Sequence, residues 1–306
     1  MDGTFRMVAS SRSHIKSDAF RNTYSRTTEQ KTGIMCNRYE KKYKRVLALK
    51  ITNIANEVSF MRTIITVIFV FLFLVIGLPV LGIEWIISKF NKKAADLSTL
   101  RIVQWGFKVV LFLSGTKLTV IGKENIPTDE PVLYVGNHRS IFDIVASYAQ
   151  CPGLTGYISK NAIEKIPILR LFMKRIYCLF IDRDDMKQSM KVILNAIDYV
   201  KHGVSIGIYP EGTRNKDKSD SASVLPFKEG SFKIAQKTGC KIVPMAVTGT
   251  AEIFEDHFPW LHSQHVILQY GEPIDMSSLD KETQKKIGTY CQERVVEMLE
   301  THKAML

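Results

Sequence analysis

The run Tyr134-Val135-Gly136-Asn137-His138-Arg139-Ser140-Ile141-Phe142-Asp143 changes its hydrophobic period half-way along. Up to Gly136 it completes an apolar segment, residues 131–135, with the length and glycine stop of a short buried strand. After the polar tetrad Asn137-His138-Arg139-Ser140, apolar residues return at Ile141, Phe142, Ile144 and Val145 in a helical pattern. His138 therefore stands at the carboxyl end of a strand and the start of a helix, where α/β sheets place ligands. A helix beginning near Ser140 puts Asp143 in its first turn, from which the carboxylate can turn back to the imidazole. A carboxylate on one ring nitrogen fixes the tautomer and raises the basicity of the other, which makes a general base. Spacing alone leaves a second reading open, in which His138 caps the helix and Asp143 merely satisfies it. Of the seven histidines, only His138 has an aspartate five positions on.

A second block, Tyr209-Pro210-Glu211-Gly212-Thr213-Arg214-Asn215, follows another apolar strand, residues 204–208. An arginine at a strand end presents a planar fork of donors that matches phosphate oxygens, and Gly212 permits close backbone approach. An ordinary turn with solvated charges is the competing reading.

Taken together and in this order, Asn137-His138-Arg139-Ser140-Ile141-Phe142-Asp143 (an HX4D motif) and Pro210-Glu211-Gly212-Thr213-Arg214 resemble the glycerolipid acyltransferases, in particular the bacterial 1-acyl-glycerol-3-phosphate acyltransferases. The resemblance covers about residues 61–300. It implies transfer of an acyl chain from acyl-CoA or acyl-carrier protein to the sn-2 hydroxyl of 1-acyl-glycerol 3-phosphate (lysophosphatidic acid), making phosphatidic acid in phospholipid biosynthesis. It also implies that His138 is the base and Asp143 its orienting carboxylate. By the same resemblance Glu211, Gly212, Thr213 and Arg214 hold the acceptor's phosphate. Arg183, in Phe180-Ile181-Asp182-Arg183, and Lys160, followed by Ile166-Pro167, match further family segments and would add positive charge to that pocket. Either could instead be a solvated surface residue. Val243-Pro244-Met245-Ala246-Val247 resembles a hydrophobic block linked to the acyl donor or to core packing. Rival activities are a glycerol-3-phosphate or other lysophospholipid acyltransferase. A rival of another class is a non-catalytic lipid-binding anchor protein, which has no need of a base.

Composition narrows the partners. A formal charge of +12 over 306 residues calls for an acidic partner, and anionic membrane lipid or a phosphorylated substrate fits. No aromatic–arginine interleaving or nucleic-acid module occurs, which argues against nucleic acid. The five cysteines (Cys36, Cys151, Cys178, Cys240, Cys291) are dispersed and odd in number, as reduced cytosolic thiols are. No His-Glu-x-x-His, acidic loop or cysteine pair points to a metal, and no cofactor motif appears. No Gly-x-Ser-x-Gly elbow occurs, which argues against a covalent acyl-serine.

Three regions follow. Residues 1–60 are basic and polar, with twelve Lys/Arg in the first fifty, and are expected to be a disordered extension, untranslated if the start is Met61. Residues 61–115 form a membrane anchor. Residues 63–83 run 21 positions without a charge, enough to cross about 30 Å of hydrocarbon. Gly77, Pro79 and Gly82 would kink the second half of that run. Residues 97–113 place Arg101, Gln104 and Lys108 on one face, as in an interfacial amphipathic helix. Basic residues flank the span on both sides, so orientation is not read from charge, and the catalytic domain is expected on the cytoplasmic side of the cell membrane. Residues 116–306 are expected to be an α/β domain, a mixed sheet flanked by helices. Its strands are expected at 118–121, 132–135, 156–159, 178–181, 205–209, 242–247 and 266–270, and its helices at 141–150, 167–175, 188–202, 228–238 and 281–303.

Overall fold

The computed structural model describes the backbone of residues 7–305, with side chains from residue 43 onward apart from 46, 48, 49, 51 and 53. The chain divides into two units, Met1–Val58 and Ser59–Leu306, and the second holds the whole sheet. The expectation of a disordered 1–60 falls largely outside the described side chains.

All seven strands form: β1 (Lys117–Ile121), β2 (Leu133–Gly136), β3 (Thr155–Lys160), β4 (Leu179–Ile181), β5 (Ser205–Ile208), β6 (Ile242–Thr248) and β7 (His265–Tyr270). They make one sheet in the order β1-β7-β6-β2-β5-β3-β4. Every neighbouring pair is parallel except β6 and β7. Because side chains alternate along a strand, each strand feeds two cores. Leu133 and Val135 of β2 face one side with Ile206 and Ile208, while Tyr134 faces the other with Val243 and Met245. Helices α5 (Met186–Lys201), α6 (Lys233–Thr238) and α8 (Ile287–His302) cover the first side. The second side is covered by α2 (Lys92–Leu113), α3 (Phe142–Tyr148) and α4 (Pro167–Arg175).

Two expected helices are broken. The 228–238 segment opens with a single 3-10 turn, Glu229–Phe232, before α6. The 281–303 segment divides into α7 (Lys281–Lys285) and α8, because the Glu229 carboxylate accepts the Gly288 N–H at 3.0 Å and closes the new helix start.

Ahead of the sheet, α1 runs from Met7 to Phe90, and Ile54–Phe90 is the one described helix long and apolar enough to cross a membrane. Its outward residues, among them Ile65, Val67, Phe71, Ile76 and Ile86, are exposed, as a lipid-facing surface requires. The helix continues through Pro79 without a break. It also passes Glu84, whose carboxylate is buried and accepts from Ser98 Oγ of α2 at 2.6 Å. Asn91 caps α2 by accepting the Ala94 N–H at 3.0 Å.

The polar face of α2 corrects one expectation. Gln104 is buried and donates to the carbonyls of Tyr148 and Cys151, and Arg101 donates to Gln104 and to the Pro152 carbonyl. Gln104 therefore packs against the end of α3 and the approach to β3 and is not available to lipid headgroups, while Arg101 and Lys108 remain exposed. The four described cysteines are buried free thiols.

Small residues seat the anchor on the domain. A Cβ on Gly77 would lie 2.3 Å from the Phe172 ring of α4, and one on Gly106 would lie 2.8 Å from Phe73. Gly77→Val should therefore overpack this seam at a cost of about 1–3 kcal/mol. Thermal unfolding of the detergent-solubilised protein should show the loss, and an unchanged midpoint would mean that α4 and α1 do not pack as described.

Candidate active site

The carboxyl ends of β2, β3, β4, β5 and β6 share one edge of the sheet, because these strands run parallel. The chain leaves β2 through α3 towards β3, and leaves β6 towards β7 on the opposite side. A crevice thus opens between β2 and β6, the topological switch point. Asn137 bridges it. Its Nδ2 donates to the Val247 carbonyl at 2.9 Å and its Oδ1 accepts the Val247 N–H at 2.8 Å.

His138 follows at once. Its Nδ1 lies 2.8 Å from Asp143 Oδ2, and since the carboxylate can only accept, Nδ1 carries the hydrogen. Asp143 is fully buried and gathers three more donors: the N–H groups of Arg139 and Ser140 at 2.7 and 2.8 Å, and Thr250 Oγ1 at 2.5 Å. Nε2 of His138 has no protein partner among the described residues, and the side chain is 13% exposed. The ring stacks on Tyr209, with centroids 4.4 Å apart and planes 18° from parallel. Burial holds the Tyr209 phenol neutral, with its pKa raised well above the ordinary value, and its hydroxyl shares a hydrogen bond with Ser147.

Glu211 approaches His138 from behind. One carboxylate oxygen accepts the His138 N–H at 2.5 Å and the other the Leu225 N–H at 2.9 Å, so the side chain is turned into the protein and not towards the cleft. The Asn215 N–H donates to the His138 carbonyl at 2.7 Å, which fixes the backbone of His138 at both ends. Gly212 adopts a positive φ of 74°, and a Cβ there would meet Lys228 Nζ at 2.7 Å, so this turn needs glycine.

Beyond the turn, Thr213 and Arg214 are exposed at the mouth of a cavity of about 640 Å³ that Arg139, Asn215, Lys216 and Lys218 also line. Arg214 Nη1 donates to Glu255 at 2.7 Å. Arg139 is committed elsewhere, donating to the carbonyls of Asp217, Asp220 and Ser223. Lys160 and Arg183 lie on the neighbouring strand ends, since Lys160 pairs in register with Ile181. Both are exposed and have no ion-pair partner among the described residues. The site residues read from the sequence are thus gathered along one sheet edge. His138, Asp143 and Glu211 touch directly, and Arg214, Lys160 and Arg183 stand apart from them. Among the described residues no group of side chains could hold a metal ion.

Residues 117–248 match the Acyltransferase family. The 1-acyl-sn-glycerol-3-phosphate acyltransferase of Borreliella burgdorferi is 30% identical over 199 residues, 64% of this chain and 77% of that protein. The chain belongs to the 1-acyl-sn-glycerol-3-phosphate acyltransferase family. The Escherichia coli protein of that name is 28% identical over 172 residues, 54% of this chain and 67% of its own length. The crystal structure of the 1-acyl-sn-glycerophosphate acyltransferase of Thermotoga maritima matches with a TM-score of 0.68 at 25% identity, covering 80% of this chain and 96% of that one. The chain is thus an acyltransferase, on the fold that the sequence blocks imply.

Thr250 and Glu255, which arrive after β6, lie outside both sequence blocks; Asn137 and Asn215 lie inside them, but their bonds run mainly to backbone, which the blocks do not encode. Their common clue is position, since each lies just past a strand's carboxyl end.

Glu211 gives the site a pH signature. Burial pushes its carboxyl up to about 7, against the pull of the Leu225 and His138 N–H donors. The folded state then holds this proton more tightly than the unfolded chain, whose value is near 4.5. Its contribution to stability is full below that value and is lost as pH rises through about 7. Relative to Glu211→Gln, the wild type should lose up to about 3 kcal/mol between those limits and then level off. Thermal unfolding of both proteins from pH 4 to 8 measures the difference, and a gap that is flat or grows in the wild type's favour would contradict it.

Proposed function

We propose that this acyltransferase moves an acyl chain from acyl-CoA or acyl-carrier protein to the sn-2 hydroxyl of 1-acyl-glycerol 3-phosphate, yielding phosphatidic acid. The observation that carries this is the imidazole of His138: Asp143 occupies Nδ1 and leaves Nε2 without a protein partner beside the cleft. The acceptor's hydroxyl gives its proton to Nε2 as its oxygen attacks the thioester carbonyl. The tetrahedral intermediate collapses with cleavage of the C–S bond, and the departing sulfur takes the proton from the imidazolium. Asp143 stabilises that imidazolium, and the substrate hydroxyl stands where a Ser-His-Asp triad has its serine.

The acceptor's phosphate is held from the cleft side by Arg214, with Thr213 beside it and Gly212 shaping the turn. Lys160 and Arg183 add charge from the next strand ends, and their freedom from carboxylate partners supports this role. Glu211 serves this site from within, by fixing the His138 backbone. The exposed apolar face of α1 supports membrane attachment, with the domain on the cytoplasmic side against anionic lipid.

Assaying the purified protein in detergent with lysophosphatidic acid and with glycerol 3-phosphate, each against both donors, should give product with the first acceptor only. His138→Ala should lower kcat by about 10²–10⁴, and Asp143→Asn should be comparably severe. Retention of activity within tenfold of wild type by His138→Ala would sink the mechanism. Arg214→Ala should raise KM for lysophosphatidic acid and spare that of the donor, and Arg214→Lys should rescue poorly, because a point charge cannot reproduce the fork. A rise confined to the donor's KM would move this block to the thioester side.

A further inference from the structure

Arg214 lies in the second sequence block, yet the bond that orients it comes from outside both blocks. Its Nη1 donates to Glu255 Oε1 at 2.7 Å, while its Nε and Nη2 have no protein partner among the described residues. Those two nitrogens form the side edge of the guanidinium, which can grip two oxygens of a phosphate in parallel. Glu255 thus leaves that edge open and still restrains the side chain. Without a partner, a half-exposed arginine would populate many rotamers. Glu255 is itself held in place. Its Oε2 accepts from Ser140 Oγ, and its Oε1 also accepts the Ile141 N–H at 2.9 Å. Ser140 is tied in turn to Asp143, because its N–H donates to Oδ2 at 2.8 Å. Arg214 therefore hangs, through Glu255, from the turn that carries His138 and Asp143. The next residue makes a similar tie along the same cavity, where Asp256 meets Lys218 Nζ at 2.6 Å.

We propose that Glu255 is a positioning residue for the reaction: acting through Arg214, it fixes the open edge of the guanidinium relative to Nε2 of His138. The proposal rests on the assignment of Arg214 to the acceptor's phosphate. In lysophosphatidic acid the carbon that bears the sn-2 hydroxyl is joined to the phosphate through a single methylene. A phosphate held in one place therefore brings the hydroxyl to one place. An arginine free to swing would hold the phosphate in several poses, few of which present the hydroxyl to the imidazole. Charge alone acts in the opposite sense, since a carboxylate beside Arg214 repels an incoming phosphate. With Arg214 half exposed, solvent screens that repulsion, whereas nothing screens a misplaced fork. The restraint outweighs the charge.

Steady-state kinetics with lysophosphatidic acid test this. Glu255→Ala should lower kcat/KM for the acceptor about fivefold or more and leave KM for the thioester donor unmoved. A smaller loss, a rise, or a shift in the donor's KM overturns the proposal; a rise would mean that the carboxylate acts only as a competing charge. Glu255→Gln keeps the length of the side chain and an oxygen that can accept from Arg214, so it should recover at least half of the loss on a logarithmic scale. A glutamine no better than alanine overturns the proposal. In Arg214→Ala, adding Glu255→Ala should have little further effect, since the two residues act through one contact. An undiminished loss in that background would mean that Glu255 serves only the Ser140 turn, and would overturn the proposal too. If Glu255→Ala does not fold, Glu255→Met, of matching length and without the acceptor oxygens, takes its place. Arg214→Ala alone judges the assignment beneath. If it leaves KM for lysophosphatidic acid unchanged, the phosphate does not sit on Arg214. If it raises that KM while the Glu255 variants behave like wild type, only the positioning role falls.

Discussion

The site depends on one buried carboxylate. Asp143 is inaccessible to solvent, and a buried charge is tolerated only when its lone pairs are filled. Here four donors fill them, three from the β2–α3 turn and one from Thr250 beyond β6. The N–H groups of Arg139 and Ser140 belong to the turn that would otherwise leave them unpaired at the start of α3. Satisfying that turn and orienting His138 are thus the same act. An asparagine of equal size would present a donor to some of these donors, so the geometry specifies an acid.

Two carboxylates act on His138 with different parts of the residue. Asp143 holds the ring, while Glu211 holds the main-chain N–H and Asn215 the carbonyl. With Tyr209 stacked beneath the imidazole, the ring is left little freedom to rotate. Such restraint is what a proton acceptor needs if a hydroxyl is to meet it in a reactive geometry. Their environments differ in a telling way. Glu211 is deeply buried, and burial pushes its carboxyl up to about 7 against its two backbone donors, so the support of the His138 backbone responds to pH.

The strands were legible because apolar runs bounded by glycine are local signals, and each of the seven expected runs forms a strand. The His138–Asp143 pair was legible for the same reason, since five residues suffice to bring the groups together. Thr250 and Glu255 were not, because they reach Asp143 and Ser140 across 107 and 115 residues of chain. Only the sheet order, which places β6 beside β2, makes those meetings. Glu211 shows a subtler limit. Its place in the second block was plain, but its bonds are to backbone N–H groups, which no side-chain pattern encodes. Arg101 and Gln104 fail differently: periodicity shows that they share a face of α2, but cannot say whether lipid or protein lies opposite.

The connection from β6 to β7 ties these parts into one mechanical unit. At its start Thr250 holds Asp143, and five residues later Glu255 holds Arg214 and Ser140. At its far end Leu261 donates its N–H to Thr63 Oγ1 at 2.8 Å, and its carbonyl accepts from Ser59 Oγ. Trp260 meets Phe60 edge to face, with centroids 5.1 Å apart. The same short segment thus contacts Asp143, Arg214 and the root of the apolar helix. A lipid acceptor has its polar head and its acyl tail joined by a few bonds, so the groups that receive them must be fixed relative to each other. Residues 250–261 tie Asp143 and Arg214 to Thr63 and Ser59 by hydrogen bonds along one segment, and not through the sheet alone.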